Sequence, residues 1–338
     1  MFTPNFDNLL AVLRHEAPSR PTLFEFILNG PLRTQLAGED PTQEDAWLGD
    51  YRQRIMAYQA AGYDFAVVGG SSFGFPAGEA RHDKSRSMNE GNVISDRESF
   101  AAYAWQDPEA HDYGRLRDIA PYLPEGMKLI VCCPGGVLEN VMSLVGYERI
   151  CYMIIDEPDF AREIFDAVGS RLLRYFELSV QYETVGAIIS NDDWGFNSQT
   201  MLPPELMREY VFPWHKRIVA AAHAVGKPAI LHSCGNLELV MEDIIEDMRF
   251  DGKHSYEDKI CPVEEAYDRW GSRLAILGGL DLDFVCRSTP AEVHTRARAM
   301  LDRSALKGSY GLGTGNSVPE YVPTENYFAM ITAATDQW

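Results

Sequence analysis

The sequence predicts a (β/α)₈ barrel, and three observations lead to this prediction. About eight short apolar segments alternate with helical patterns along the 338 residues, an alternation that is typical of a parallel sheet. The composition does not shift along the chain, so we expect a single domain over residues 1–338. No glycine-rich dinucleotide fingerprint follows the first apolar segment, which weakens the alternative of a doubly wound open sheet.

The first elements form an N-terminal helical extension and two strands. An amphipathic helix is predicted over residues 6–15, followed by a first strand over 22–28 that carries Glu25 among apolar neighbours. A helix over 44–61 leads to the second strand at 64–68. Residues 73–111 are rich in charge, glycine and serine, and we interpret them as an insertion after strand 2, with a hairpin at 88–95 as one option. Loops of this length are usually functional or lid-like.

The remaining elements repeat the strand and helix alternation. The predicted strands three to eight lie at residues 128–132, 187–190, 229–232, 248–254, 274–277 and 309–312. The predicted helices between and after them lie at residues 113–122, 137–155, 158–182, 203–225, from 290 onward and from 323 onward. Thr289 precedes the helix that starts at Pro290 and has the residue type of an N-cap.

Composition and charge narrow the range of partners. The formal net charge is −20, so the field of the protein repels nucleic acid and anionic membranes, and we expect neither as a partner. Residues 1–6 lack a basic segment and an apolar segment, and no apolar run approaches the length of a membrane span, so neither a signal peptide nor a transmembrane helix is predicted. Six cysteines in 338 residues do not indicate a disulfide scaffold, and a reducing cytoplasm is the expected location.

The stretch at residues 229–236, Ala-Ile-Leu-His-Ser-Cys-Gly-Asn, is the strongest chemical signal in the chain. His232 and Cys234 are two residues apart, so on a strand their side chains point to the same side with Cα atoms roughly 6.5–7 Å apart. An imidazole nitrogen and a thiolate can converge on a borderline ion such as Zn²⁺. The alternative is a buried cysteine beside a histidine with satisfied hydrogen bonds.

Other residues with metal-binding or catalytic side chains also fall at the ends of predicted strands, and in a barrel these ends meet at one mouth, where active sites are built. Asp192 and Asp193 follow strand four; they could orient a ligand histidine, act as acid or base, or cap a helix. Asp281 and Asn316, after strands seven and eight, are the expected cofactor contacts. The same group includes Glu25, Cys132, Cys133, His254 and Thr314.

Further metal ligands are expected from these positions. Glu25 is the first candidate, as a ligand and as a catalytic carboxylate, because a carboxylate inside an apolar strand is costly unless it is paired or coordinating. His254 is the second candidate, and Cys261 could also return to the mouth. The alternatives are a salt-bridged Glu25, a structural His254 and cysteines that only pack.

Six motifs occur in order along the chain: residues 192–195 (Asp-Asp-Trp-Gly), 213–217 (Pro-Trp-His-Lys-Arg), 232–236, 278–281 (Gly-Gly-Leu-Asp), 313–316 (Gly-Thr-Gly-Asn) and 323–326 (Pro-Thr-Glu-Asn). Together they resemble the uroporphyrinogen decarboxylase superfamily. The resemblance covers most of the chain and is strongest from about residue 187 onward. It implies a TIM barrel with its site at the mouth.

The superfamily has two functional branches. True uroporphyrinogen decarboxylases are cofactor-free and carry an arginine-rich segment near the first strand for the substrate carboxylates. Here residues 23–30 contain no arginine, and the next arginine along the chain is Arg33. The corrinoid-dependent methyltransferases use a His-x-Cys zinc motif, which maps onto His232 and Cys234. In the coenzyme M enzymes a third ligand, a cysteine, lies near the end of strand eight, and this chain has Thr314 there.

The resemblance therefore implies a zinc-dependent methyltransferase that moves a methyl group between a small-molecule donor or acceptor, such as a methyl ether, and a corrinoid (cobalamin) carried by a partner protein. Loss of a thiolate ligand makes the zinc more Lewis acidic, which favours demethylation of the donor. The alternatives are a cofactor-free decarboxylase in which Asp193 stabilises a protonated pyrrole, and a non-catalytic tetrapyrrole-binding protein. A homodimer is an open option for the assembly.

Overall fold

The computed structural model describes residues 2–38, 46–78, 89 and 92–335. Within them, seven strands form one all-parallel sheet in which each strand pairs with the next in sequence. The strands are β1 Phe65–Gly69, β2 Lys128–Cys132, β3 Val185–Asn191, β4 Ala229–His232, β5 Gly252–His254, β6 Ala275–Leu277 and β7 Tyr310–Gly311. They are the predicted strands two to eight, and the (β/α)₈ prediction is confirmed.

The predicted first strand at residues 22–28 forms isolated bridges instead of a regular strand. Leu23 bridges Leu312, and Leu28 bridges Val318, both in parallel. Between these bridges, the backbone N–H of Thr314 donates to the Glu25 carboxyl group rather than to a backbone carbonyl. The segment therefore follows the chain beyond β7 and occupies the first position of the barrel without continuous strand pairing.

Helices lie between the strands as the alternation predicts. The α-helices are Asp7–Leu13, Gly30–Ala37, Ala46–Ala61, Arg97–Ala102, Arg115–Asp118, Val137–Val145, Tyr147–Asp156, Pro158–Ser179, Pro204–Leu206, Phe212–Ala224, Val263–Trp270, Leu282–Arg287, Pro290–Ser304 and Thr324–Thr335. Short 3₁₀ segments are Pro108–Ala110, Ala120–Tyr122 and Glu238–Val240, and wider π-helical turns are Met207–Val211 and Asp243–Asp247.

The N-terminal extension and the N-cap at Thr289 are confirmed, since Thr289 and Glu292 form a reciprocal capping box. The helix predicted over 113–122 is shorter and divides into an α-helical and a 3₁₀ segment. Residues 88, 90 and 91 of the optional hairpin lie outside the described residues. The helix Gly30–Ala37, capped by Asn29 and with a proline in its first turn, was not predicted, although Asn-Gly-Pro is a helix-start signal.

The barrel core is apolar and the polar residues gather at one end of it. The side chains of Ile130, Ile188, Ile230 and Ile276, in β2, β3, β4 and β6, are completely buried. The carboxyl ends of the strands carry Asn191, His232 and His254, which lie side by side in register. Among the described residues no helix combines the length and apolarity that a bilayer span requires.

Candidate metal centre

Asp193, His232 and Cys234 converge at the carboxyl ends of β3 and β4. One ligand atom from each lies within 4.8 Å of the others. His232 Nε2 is 3.8 Å from Cys234 Sγ and 3.9 Å from Asp193 Oδ1. Ligand atoms that share one tetrahedral zinc lie about 3.3–3.8 Å apart. The three side chains therefore fit a zinc ion with one position left for a substrate or a water molecule.

Backbone and side-chain contacts fix the position of Cys234. Its N–H donates to Asp193 Oδ1 at 2.9 Å, so the two candidate ligands also hold each other. The next residue, Gly235, has a φ of 87°, and a Cβ there would lie 2.1 Å from the carbonyl oxygen of Gly195. Only glycine permits this turn, which places the thiol beside the aspartate.

Two polar side chains face the Cys234 sulfur. Asn316 Nδ2 lies 3.1 Å from Sγ, and Ser255 Oγ donates to it at 3.4 Å. Donors of this kind stabilise a thiolate and orient it, as outer contacts commonly do around metal ligands. The predicted cofactor contact Asn316 is thus placed at the metal centre, on the sulfur atom.

His254 lies next to this trio as the hydrogen-bond partner of His232. The Nδ1 atoms of the two rings are 2.8 Å apart, and the Phe26 ring packs 4.6 Å from the His232 ring. A histidine that binds a metal through Nε2 must carry its proton on Nδ1. His254 Nδ1 can accept the hydrogen bond from that N–H, which selects the tautomer of His232 and leaves its Nε2 free to face Asp193 and Cys234.

Burial dominates the proton equilibria of the centre. It lowers the pKa of His232 to about 4, with Asp193 opposing, and it lowers the pKa of His254 well below its ordinary value. Burial and the Asp193 charge raise the pKa of Cys234 to about 12. Both imidazoles are therefore neutral, as metal binding requires, and a divalent cation would reverse the balance at Cys234 by stabilising its thiolate.

Glu25 is placed apart from the trio, and its carboxyl group binds Thr314. Oε1 accepts the Thr314 N–H at 2.5 Å, and Oε2 lies 3.0 Å from Thr314 Oγ1, which also contacts the carbonyl of Asn316 at 2.5 Å. Burial raises the pKa of Glu25 to about 8. The predicted ligand and catalytic residue thus holds the loop that carries Asn316, at the position where the resemblance implies a cysteine.

Asp192 and Asp281 hold backbone groups. Asp192 is fully buried and accepts N–H donors from Leu138 and Glu139 at the start of the helix Val137–Val145, as well as His215 Nε2. Asp281 caps the helix Leu282–Arg287 and accepts the N–H of Asp258. Their contacts are those of helix caps and loop anchors.

The other cysteines near the mouth do not join the trio. Cys133 Sγ faces the carbonyl and the side-chain oxygen of Asn191, and burial raises the pKa of Cys132 to about 11. Cys261 lines a separate cavity behind Cys234. These thiols have the environment of packing residues.

Sequence reasoning missed three residues close to the centre. Glu139 is half-buried, and burial together with the charges of Asp192 and Asp193 raises its pKa to about 8. Ser255 contacts the Cys234 sulfur, and Lys253 is buried beside it with a pKa that burial lowers to about 8. The available signal was the alternation along β5, which places Lys253 on the face opposite His254.

Comparison with known proteins gives the family. The model of the uroporphyrinogen decarboxylase (URO-D) family matches residues 99–337. The chain belongs to this family. The resemblance seen in the motifs is thereby confirmed. None of the curated proteins matches the sequence with significance.

Solved structures of the same architecture include a methyltransferase from Methanosarcina mazei. It superposes with a TM-score of 0.70 at 15% identity and covers 100% of this chain and 99% of its own. A Listeria monocytogenes protein described as a vitamin-B12 independent methionine synthase has a TM-score of 0.50 at 12% identity, covering 100% and 99%. At these identities the likeness concerns the fold.

Proposed function

We propose that this protein is a zinc-dependent methyltransferase that moves a methyl group between a small molecule, such as a methyl ether, and a corrinoid carried by a partner protein. The observation that carries the proposal is the trio of Asp193, His232 and Cys234, whose ligand atoms lie within 4.8 Å of one another. Family membership and the fold of the M. mazei methyltransferase support it.

The trio has the features of a catalytic site. Structural zinc sites usually have four protein ligands, whereas catalytic sites have three and an open position. Zn²⁺ at this place would supply Lewis acidity to a donor oxygen or sulfur in that position. The coenzyme M enzymes have a second thiolate near the end of strand eight, whereas here the third candidate ligand is an oxygen of Asp193, after β3. This ligand set favours the demethylating direction.

The roles of the protein residues follow from their contacts. His254 fixes the tautomer of His232, while Asn316 and Ser255 orient the sulfur of Cys234. In the proposed transfer the donor's C–O bond breaks, the methyl group bonds to the cobalt of the corrinoid, and the leaving oxygen takes up a proton. Glu139, half-buried and with a pKa raised to about 8 by burial and the charges of Asp192 and Asp193, is our candidate for the donor of this proton.

A porphyrinogen decarboxylase is less well supported. Its substrate carries many carboxylates, and Arg33, the first arginine after the 22–28 segment, already pairs with Asp50 at 2.8 Å. Little positive charge is left there for a polyanion. We also propose a cytoplasmic location and one domain over residues 1–338, on the sequence arguments given above.

The experiment combines metal analysis with a transfer assay. We expect about one zinc per purified chain, lost in His232→Ala and Cys234→Ser and retained in Cys286→Ser, a partly exposed cysteine on the helix Leu282–Arg287. With Co(I) corrinoid and a panel of methyl donors, methyl-cobalt absorbance should appear with the wild type and not with the first two variants.

Two results would overturn the proposal. A metal-free protein that decarboxylates a porphyrinogen would favour the alternative lyase. Zinc binding without methyl transfer across a broad panel of ethers, thioethers, amines and acceptor thiols would remove the methyltransferase assignment and leave only the metal centre.

A further inference from the structure

A cavity of about 100 Å³ lies beside the metal centre, between the loops that follow β4 and β5. Its wall includes Ser255, whose hydroxyl contacts the sulfur of Cys234, so only one side chain separates the cavity from a candidate ligand. The apolar part of the lining consists of Leu237, Met241, Ile260 and Trp270. The cavity can therefore hold a small molecule close to the metal centre.

Lys253 is a buried cation in the lining of this cavity. The residue is 3% exposed, its Nζ donates to the carbonyl of Ser255 at 2.5 Å, and it lies 4.3 Å from the centroid of the Tyr256 ring. An ammonium group has three N–H donors, and no carboxylate of the described residues forms an ion pair with this one. A buried ammonium is costly unless an anion and further acceptors complete its surroundings.

The acidic residues of the lining do not fill this role. Glu238 is exposed and pairs with Arg269, and Glu257 also lines the cavity but lies outside ion-pair distance of Lys253. Their charges raise the cost of a dianion such as phosphate near Lys253. A monoanion is the better match.

Tyr256 supplies a second polar group in the same lining whose hydrogen bonding is incomplete. It is 6% exposed, and its hydroxyl is buried with no hydrogen-bond partner among the described residues. A buried hydroxyl without a hydrogen-bond partner is destabilising. One ammonium and one hydroxyl can satisfy the two oxygens of a carboxylate. Here the hydroxyl has no acceptor among the described residues, and the carbonyl of Ser255 occupies one of the three donors of the ammonium.

We propose that this cavity is a binding subsite for the carboxylate of a small organic acid, held by Lys253 and Tyr256 with its carbon chain against Trp270. The role of that acid rests on the proposed function: it is the methyl donor or methyl acceptor, with its reactive end toward Asp193, His232 and Cys234. Binding of the acid in the cavity can be tested without turnover.

Calorimetric titration of the full, zinc-loaded chain tests the subsite. Propionate and butyrate should bind, while propionamide and butyramide, of the same shape and without charge, should not. We expect Lys253→Met to lower the affinity at least about tenfold, since hydrogen bonds to charged groups contribute about 1.5–3 kcal/mol. Tyr256→Phe should lower it about threefold to tenfold, as expected for one neutral hydrogen bond.

A matched control comes from a second lysine. Lys227 is half-buried and its Nζ also donates to backbone carbonyls, those of Val180 and Tyr182, near the amino end of β4. Lys227→Met should leave acid binding unchanged. Tyr256→Phe is the smallest change available and keeps the test valid should Lys253→Met fail to fold.

Three results would overturn the subsite: equal affinity in Tyr256→Phe and the wild type, amides that bind as well as acids, or an affinity lost in His232→Ala and retained in Lys253→Met. The last result would mean that the acid binds the metal directly. Acid binding in the cavity without methyl-cobalt formation would instead leave the subsite in place and remove the methyltransferase proposal.

Discussion

Asp192 and Asp193 are neighbours in sequence, and each lies beside a histidine, but their surroundings differ completely. Asp192 is fully buried and accepts two backbone N–H groups at 3.0 and 2.9 Å and His215 Nε2 at 2.8 Å. The other ring nitrogen of His215 contacts Ser190 Oγ at 3.2 Å. In this pair the polar atoms of the aspartate and the histidine already have protein partners.

In the pair formed by Asp193 and His232, the facing polar atoms do not hydrogen-bond each other. The Asp193 side chain is 36% exposed and lies 3.9 Å from His232 Nε2, too far for a hydrogen bond. Its carboxylate accepts a hydrogen bond from the backbone N–H of Cys234, which leaves further lone pairs available. The two pairs contain the same residue types. The structural pair differs from the candidate binding site because its polar atoms all have protein hydrogen-bond partners.

Removing the buried carboxylate of Asp192 should have the largest effect on stability. Asp192→Ala leaves two buried N–H donors and His215 without their acceptor, so we expect the free energy of unfolding to fall by about 3–5 kcal/mol. Urea denaturation followed by circular dichroism measures this. The folded fraction should still bind zinc. If Asp192→Ala were instead as stable as the wild type and had lost its zinc, Asp192 rather than Asp193 would be the ligand.

Glu25, like Asp192, is a buried acid whose oxygens have protein partners, and it should make the free energy of unfolding depend on pH. Its pKa is raised by burial from 4.5 to about 8, so the folded protein retains a proton that the unfolded chain loses. The contribution of protonated Glu25 is fully present below the unfolded pKa and is lost as the pH rises through about 8. Glu25→Gln keeps an acceptor for the Thr314 N–H and a donor for its hydroxyl, and it cannot ionise.

Between pH 5 and pH 9 the wild type should therefore lose about 4 kcal/mol of stability relative to Glu25→Gln. Urea midpoints measured across this range test the difference, with Glu320→Gln at an exposed position as the control that follows the wild type. Parallel curves for wild type and Glu25→Gln would mean that Glu25 is ionised throughout, as a metal ligand would be.

Asp193→Ala should weaken zinc binding and leave stability nearly unchanged, whereas Asp192→Ala should do the reverse. It removes one of three candidate ligands from an exposed position, so we expect zinc affinity to fall about a hundredfold and stability of the metal-free chain to change by less than about 1 kcal/mol. Competition with a chromophoric chelator gives the affinity. Unchanged affinity would exclude Asp193 from the centre.

The strand alternation and the His-x-Cys spacing were sufficient to predict the barrel and two of the three converging residues. They could not separate Asp192 from Asp193, because the choice depends on the helix start at Leu138, more than fifty residues away. Glu25 and Thr314 are 289 residues apart, so their contact exists only through barrel closure. The alternation along β5 places Lys253 on the face opposite His254, but it does not show that this lysine is buried.

The smallest change in zinc affinity is expected for His254, whose role is to fix the tautomer of His232. His254→Phe keeps an aromatic ring between Phe24 and His232 but removes the Nδ1 acceptor at 2.8 Å from His232. Loss of such a contact typically lowers metal affinity about tenfold to a hundredfold. His223→Phe, which removes a partly exposed contact to Asp251 near the amino end of β4, should leave affinity unchanged. A complete loss of zinc in His254→Phe would instead indicate that His254 is itself a ligand, as the sequence predicted.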